Sequence, residues 1–237
     1  MDTFIAENLA WIQAEISRAA NSAQRNSEDV RIIAVTKTAE SDILPLLIQA
    51  GIRDAAENRW QVAREKFQHG AAADLQWHFI GSLQTNKVKY VVPHFSWIHS
   101  VDRMELASAI SHEAVKRNRH VSLLLQVNIA EEAQKHGLRV DEVLSVAEQV
   151  VTLPNVMLRG LMTMAPLCEN PDDTRPVFRA LRDLQRDLQM KMSLEDFDQL
   201  SMGMSQDFRI AVEEGSTMVR IGRRLVQPFS EQAEGGH

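Results

Sequence analysis

One cysteine, Cys168, and one tyrosine, Tyr90, occur in 237 residues. A lone thiol excludes an intrachain disulfide and a thiolate cluster for zinc. The eight histidines show no HxxxH or HxH spacing, so the common imidazole metal signatures are missing too. Positive charge is in short supply: 26 Lys and Arg against 32 Asp and Glu give a formal net charge of −6. A chain that gripped nucleic acid or an anionic membrane by neutralising phosphates would carry the opposite balance. No apolar run is long enough for a membrane span, and nothing reads as a secretory leader. These absences point to a reducing cytoplasm, with no metal, nucleic acid or membrane in the function.

What is present is an apolar fraction of 44%, ordinary for a globular protein and enough for one large core. Ile5, Leu9, Ile12 and Ile16 recur at helical spacing, which predicts an N-terminal helix to about Ala20. Apolar runs of strand character follow at 32–35, 77–80, 96–99, 122–129, 157–162 and 217–221. Helical patterns lie between them at 43–49, 57–67, 104–117, 140–151, 177–190 and 208–214. Two shorter strands, 54–56 and 198–201, bring the strands to eight. Such alternation predicts an α/β fold, a single (β/α)8 TIM barrel with an extra N-terminal helix, and leaves an open doubly wound sheet as the alternative. Residues 1–229 read as one domain and 230–237 as a short, disordered polar tail.

Chemistry concentrates at strand ends. RIIAVTKT at 31–38 brings Lys37 to the end of a strand that is apolar on both faces. A lysine delivered to a buried address is a candidate reactive amine; the alternative is a solvated residue just past the strand. In a closed barrel the first and last strands are neighbours, so GSTMVRIGR at 215–223 sets Arg220 and the Gly222 amide beside Lys37. The turn SMGMS at 201–205 adds a hydroxyl and glycine-bounded amides on the adjoining rim. Loops after strands seven and eight of such barrels commonly bind phosphate. An amine beside a phosphate cradle suits a phosphate-bearing carbonyl cofactor, and pyridoxal 5′-phosphate (PLP) is the obvious one. Desolvation of Lys37 would favour the neutral amine that attacks the aldehyde. His78, on an apolar strand, reads as a hydrogen-bonded core residue, and Lys87 and Lys89 as a solvated helix face. The lack of an exposed heptad favours a monomer.

AVTK around Lys37, ENRWQ from Glu57, WHFIGSLQTNK from Trp77, SVDR from Ser100, VNI at Val127, RGLMTMAP from Arg159, LSMGMSQDF from Leu200 and GSTMVRIG from Gly215 together resemble the pyridoxal phosphate homeostasis protein family. Eight motifs in order over residues 32–222 make the resemblance specific. It implies a barrel like the N-terminal domain of alanine racemase, in the cytoplasm, holding PLP as a Schiff base on Lys37. The implied role is PLP homeostasis by buffering and delivery, with PLP-dependent apoenzymes as recipients and no significant turnover.

By position, Asn58 corresponds to the side chain beside the ring hydroxyl, and Ser201, Met202 and Gly222 to phosphate-side contacts. Arg220 corresponds to an arginine near the pyridine nitrogen or the phosphate. Facing the nitrogen, it would disfavour ring protonation and weaken the cofactor as an electron sink, which suits a carrier. Ala55-Ala56 replaces an aromatic-Gly pair of the family, Arg223 replaces a small hydroxyl residue, and Leu225-Val226-Gln227 replaces an ending with Phe-Gly. Retained binding with altered affinity is the expectation. Two other readings stand beside the carrier. A PLP-dependent amino-acid racemase needs an acid/base on each face of the cofactor; in alanine racemase one is a tyrosine from an added β domain, for which this chain has no room, and Tyr90 lies in a helical segment. A barrel that binds a phosphorylated metabolite without a covalent bond would not need Lys37.

Overall fold

Strand β1 (Arg31–Val35) pairs in parallel with both β2 (Asp54–Glu57) and β8 (Met218–Ile221), and this double pairing closes the sheet. Between them β3 (Gln76–Phe79), β4 (Trp97–Val101), β5 (Val121–Gln126), β6 (Val156–Met162) and β7 (Gln199–Met204) follow in chain order, so the eight strands form a closed parallel barrel. The computed structural model describes residues 4–130 and 136–228. The expected polar tail lies outside the described residues. The barrel is the expected one, and the open sheet is excluded.

Helices α1 (Phe4–Ser22), α2 (Ile43–Gln49), α3 (Trp60–Lys66), α4 (Val88–Val91), α5 (Met104–Lys116), α6 (Val143–Val150), α7 (Arg175–Met192), α8 (Phe208–Glu213) and α9 (Arg223–Val226), with five short 3₁₀ helices, complete the described elements. Strand β5 is buried along its whole length, as a parallel strand covered on both faces must be. Two apolar layers result. The lumen is packed by Ile33, Val35, Ala56, Trp97, Leu124 and Met218, whereas Ala34, Ala55, Phe79, Leu123 and Leu125 face outward into the core beneath the helices. The lumen is therefore filled, and any ligand space must lie at a barrel mouth.

The N-terminal helix falls where its spacing predicts. Ile5, Leu9, Ile12 and Ile16 form its buried face, which packs on α8 and α9. Asn8 Nδ2 donates to the carbonyls of Leu225 at 3.0 Å and Gln227 at 2.8 Å. Arg25, just past α1, donates to the carbonyls of Val212 and Ser216, so the segment 4–25 is tied to the α8–α9 region.

Several boundaries differ from expectation. Residue 57 does not start a helix: Glu57 is the last residue of β2, fully buried, and α3 starts only at Trp60. The strand expected over 122–129 stops at Gln126, because Val127 makes only an isolated bridge to Leu138. Helix α7 starts at Arg175, before the expected 177, with Pro176 in its first turn, where a missing N–H costs nothing. Strand β7 continues through Met204, so most of the SMGMS segment is strand, not turn.

Candidate functional site

Lys37 lies two residues beyond β1. Thr36 continues the ladder, its N–H donating to the Ala56 carbonyl at 3.0 Å, and the chain then turns so that the Ala39 N–H donates to the Thr36 carbonyl at 2.9 Å. Thr36 is buried and Lys37 is exposed. This corrects the expectation of a buried amine: the turn lifts Lys37 out of the strand, so burial does not supply the desolvation expected there.

The buried lysine of this region is Lys66, in the last turn of α3 and 2% exposed. Its Nζ donates to Glu57 Oε1 at 2.6 Å and to the Thr36 carbonyl at 2.9 Å. The Thr36 hydroxyl donates to the same Glu57 oxygen at 2.6 Å. Glu57 Oε2 is buried and has no partner among the described residues. These three side chains fix the backbone immediately before Lys37. A helix over 57–67 would have set Glu57 and Lys66 far apart along its axis, so this cluster went unseen. The usable signal was the spacing of Ala63, Lys66 and Phe67, which places the lysine on the buried face.

At the C-terminal mouth lies a cavity of about 530 Å³. Lys37, Asn58, Arg220 and Gly222 all line it. Asn58 is brought there by a close approach of two loops: a Cβ on Gly81 would sit 2.0 Å from the Asn58 carbonyl oxygen. Ser201 and Met202 do not line the cavity. Met202 packs in the outer core, and Ser201 is fully buried. Its hydroxyl does not reach the rim as expected, because β7 carries it inside the lumen. The rim turn of this segment is at 205–207, and those residues do line the cavity.

Arg220 donates to Ser201 Oγ at 2.7 Å and to the Thr163 carbonyl at 3.0 Å. Burial lowers its pKa to about 10, with Asp207 opposing, so it is charged at neutral pH. Asp207 accepts from the Met204 N–H at 2.6 Å. Burial raises its pKa, while that hydrogen bond and Arg220 pull it down. With Lys37 and Arg223 on the same wall, the cavity favours an anion. His78 is the hydrogen-bonded core residue expected, tied to Asp54 and His99. Tyr90 does not line the cavity; it stacks on Trp60 with ring centroids 5.8 Å apart.

Residues 8–227 match the family model of the alanine racemase N-terminal domain. A pyridoxal phosphate homeostasis protein of Aquifex aeolicus is 40% identical over 219 residues, covering 92% of this chain and 96% of the relative. This chain belongs to the pyridoxal phosphate homeostasis protein family. The Escherichia coli family member is 37% identical over 226 residues, 93% of this chain and 95% of its own. Among solved structures, PipY of Synechococcus elongatus with PLP bound superposes with a TM-score of 0.83 at 33% identity, over 94% of this chain and 100% of PipY. An alanine racemase of Clostridium difficile shares the fold alone, with a TM-score of 0.73 at 16% identity over 92% of this chain and 56% of the racemase. Two of the family departures have clear places here: the Ala56 methyl packs in the lumen, and Arg223 lines the cavity.

Proposed function

We propose that this protein binds PLP, carries it covalently on Lys37, and serves intracellular PLP homeostasis as a carrier rather than a catalyst. The observation that carries this reading is the seam between β1 and β8, which sets a primary amine, a buried guanidinium and a side-chain-free glycine on one cavity wall. That donor set fits the cofactor, as does the cavity volume. When bound, PLP supplies an aldehyde that condenses with a primary amine with loss of water, and a phosphate. Lys37 would hold the aldehyde end and Asn58 the ring hydroxyl. Gly222, Arg223 and the turn at 205–207 would hold the phosphate side. Arg220 would meet the ring nitrogen or the phosphate, and Ser201 would serve through Arg220.

An exposed amine at an open mouth favours loading and release over sequestered chemistry. Racemisation needs an acid/base on each face of the cofactor, and Tyr90 does not line the cavity. The reading includes a monomer in the cytoplasm with PLP-dependent apoenzymes as recipients. Borohydride reduction of protein supplied with PLP, followed by peptide mass analysis, tests it. The expected result is a phosphopyridoxyl adduct confined to the Lys37 peptide and missing in Lys37→Ala. No adduct in the wild type would refute the covalent carrier and favour a phosphorylated-metabolite barrel. Turnover of single-enantiomer amino acids that Lys37→Ala abolishes would refute the carrier in favour of a racemase.

A further inference from the structure

A chain of hydrogen bonds runs through the barrel lumen from one mouth toward the other. Asp54, the first residue of β2, lies at the mouth opposite the cavity with its side chain 15% exposed. His78 Nε2 is 2.8 Å from Asp54 Oδ1, and His78 Nδ1 is 2.9 Å from His99 Nε2. His99 Nδ1 is 2.8 Å from Ser201 Oγ, which in turn is 2.7 Å from Arg220 NH1. His78, His99 and Ser201 are all fully buried. Trp97 stacks on His78 with centroids 5.6 Å apart, and the Arg31 guanidinium covers Trp97 and lies 3.6 Å from Asp54.

The carboxylate end sets the direction of the protons through two neutral rings. A guanidinium only donates, so Ser201 Oγ accepts from Arg220. A carboxylate only accepts, so His78 donates from Nε2 and a neutral His78 accepts at Nδ1 from His99 Nε2. A neutral His99 with its proton on Nε2 then accepts at Nδ1 from the Ser201 hydroxyl, so each histidine carries its proton on Nε2. Burial holds both imidazoles below the ordinary histidine range, His99 the further, while Asp54 opposes the shift at His78.

We infer that Asp54, His78 and His99 are positioning residues for Arg220, forming a proton-ordered chain that locks the Ser201 hydroxyl as an acceptor and so aims the guanidinium at the cavity. The part concerning cofactor rests on the PLP reading; the ordered chain does not. A residue at the far mouth thereby sets the geometry of a group lining the cofactor cavity.

Long-range proton–nitrogen NMR of the apoprotein labelled with nitrogen-15 histidine, at pH 7, tests the chain directly. The signals are assigned with His78→Gln and His99→Gln. The expected spectrum shows both rings neutral with the proton on Nε2. Two variants at Asp54 separate acceptor from charge, since both lose the pairing with Arg31 but only one loses the acceptor. Asp54→Asn is expected to keep the His99 signals and the PLP affinity of the wild type. Asp54→Ala is expected to move the His99 signals, although Asp54 does not touch His99, and to weaken PLP binding about three- to tenfold, the scale of one lost neutral hydrogen bond. An imidazolium, an Nδ1–H form of His99, or unchanged His99 signals and affinity in Asp54→Ala would overturn the inference. Failure of the wild type to bind PLP would overturn the cofactor reading while the apoprotein spectrum still decided the chain.

Discussion

Replacing Lys66 by methionine leaves the Glu57 carboxylate buried without its cation. Both side chains are nearly or wholly inaccessible, at 2% and 0%, and their atoms are 2.6 Å apart. Breaking such a pair from one side costs about 3–5 kcal/mol, because the remaining charge stays desolvated. For a chain of this length that corresponds to a fall in Tm of roughly 6–20 °C, at about 2–4 °C per kcal/mol. The double variant Glu57→Leu with Lys66→Met removes both charges and is expected to return most of the loss, since replacing a whole buried pair by apolar side chains is often neutral. Full return is not expected: the Thr36 hydroxyl loses its short acceptor and keeps only the Ala56 carbonyl at 3.4 Å. That leaves a deficit of about 1 kcal/mol. Urea unfolding followed by circular dichroism reads these differences as midpoint shifts at constant m. A cost below about 1 kcal/mol for Lys66→Met, or a double variant no more stable than that single one, would refute the reasoning.

Acid titration of stability should report the two buried imidazoles. Their folded pKa values lie below the ordinary 6.5, so below pH 6.5 the unfolded chain binds more protons. Stability is then full above pH 6.5 and falls as pH drops, by up to about 1.4 kcal/mol per pH unit for each group. Thermal melts between pH 7 and 5 should show a shallower decline for the His78→Gln/His99→Gln double variant; an identical decline would count against buried neutral rings. Gly81→Ala should destabilise the protein and disturb Asn58, because the added methyl would overlap the Asn58 backbone. A Cβ on Gly222 meets Val35 only at 3.8 Å, so Gly222→Ala should fold normally; equal melting temperatures for the two variants would contradict this. Arg220→Ala should reduce PLP retention in gel filtration more than His78→Gln, since a charged hydrogen bond is worth about 1.5–3 kcal/mol and a neutral one nearer 1.

The strands most legible in the sequence were those with β-branched or leucine-rich runs buried on both faces, such as β1 and β5. Strand β2 was cut short because Glu57 looks like a helix-start residue until its partner Lys66 is seen behind it. The first half of β7 was expected as strand, but its second half reads as a turn because Gly203 lies between Ser201 and Ser205. Its glycine answers a packing need instead: at φ 92° a Cβ would lie 2.6 Å from the Ala211 Cβ on α8. Lys37, Arg220 and Gly222 were legible because barrel closure makes strand ends converge, whereas Asn58 was implied only by the family resemblance. The lumen chain was not, since its links join residues 24, 21 and 102 positions apart on different strands. No local spacing encodes such a contact, and the inward or outward sense of Ser201 depends on where β7 begins.

Closure at the seam of β1 and β8 also sets when the cavity can exist. Lys37 and Arg220 are 183 residues apart in the chain, so at about 5–20 residues per second the ribosome delivers the lysine roughly 10–40 s before the arginine. Throughout that interval Lys37 is present without the guanidinium that shares its cavity wall. Competence to hold an anionic ligand thus arrives only with the last strand, and a ligand bridging the two would act as a clasp on the finished barrel.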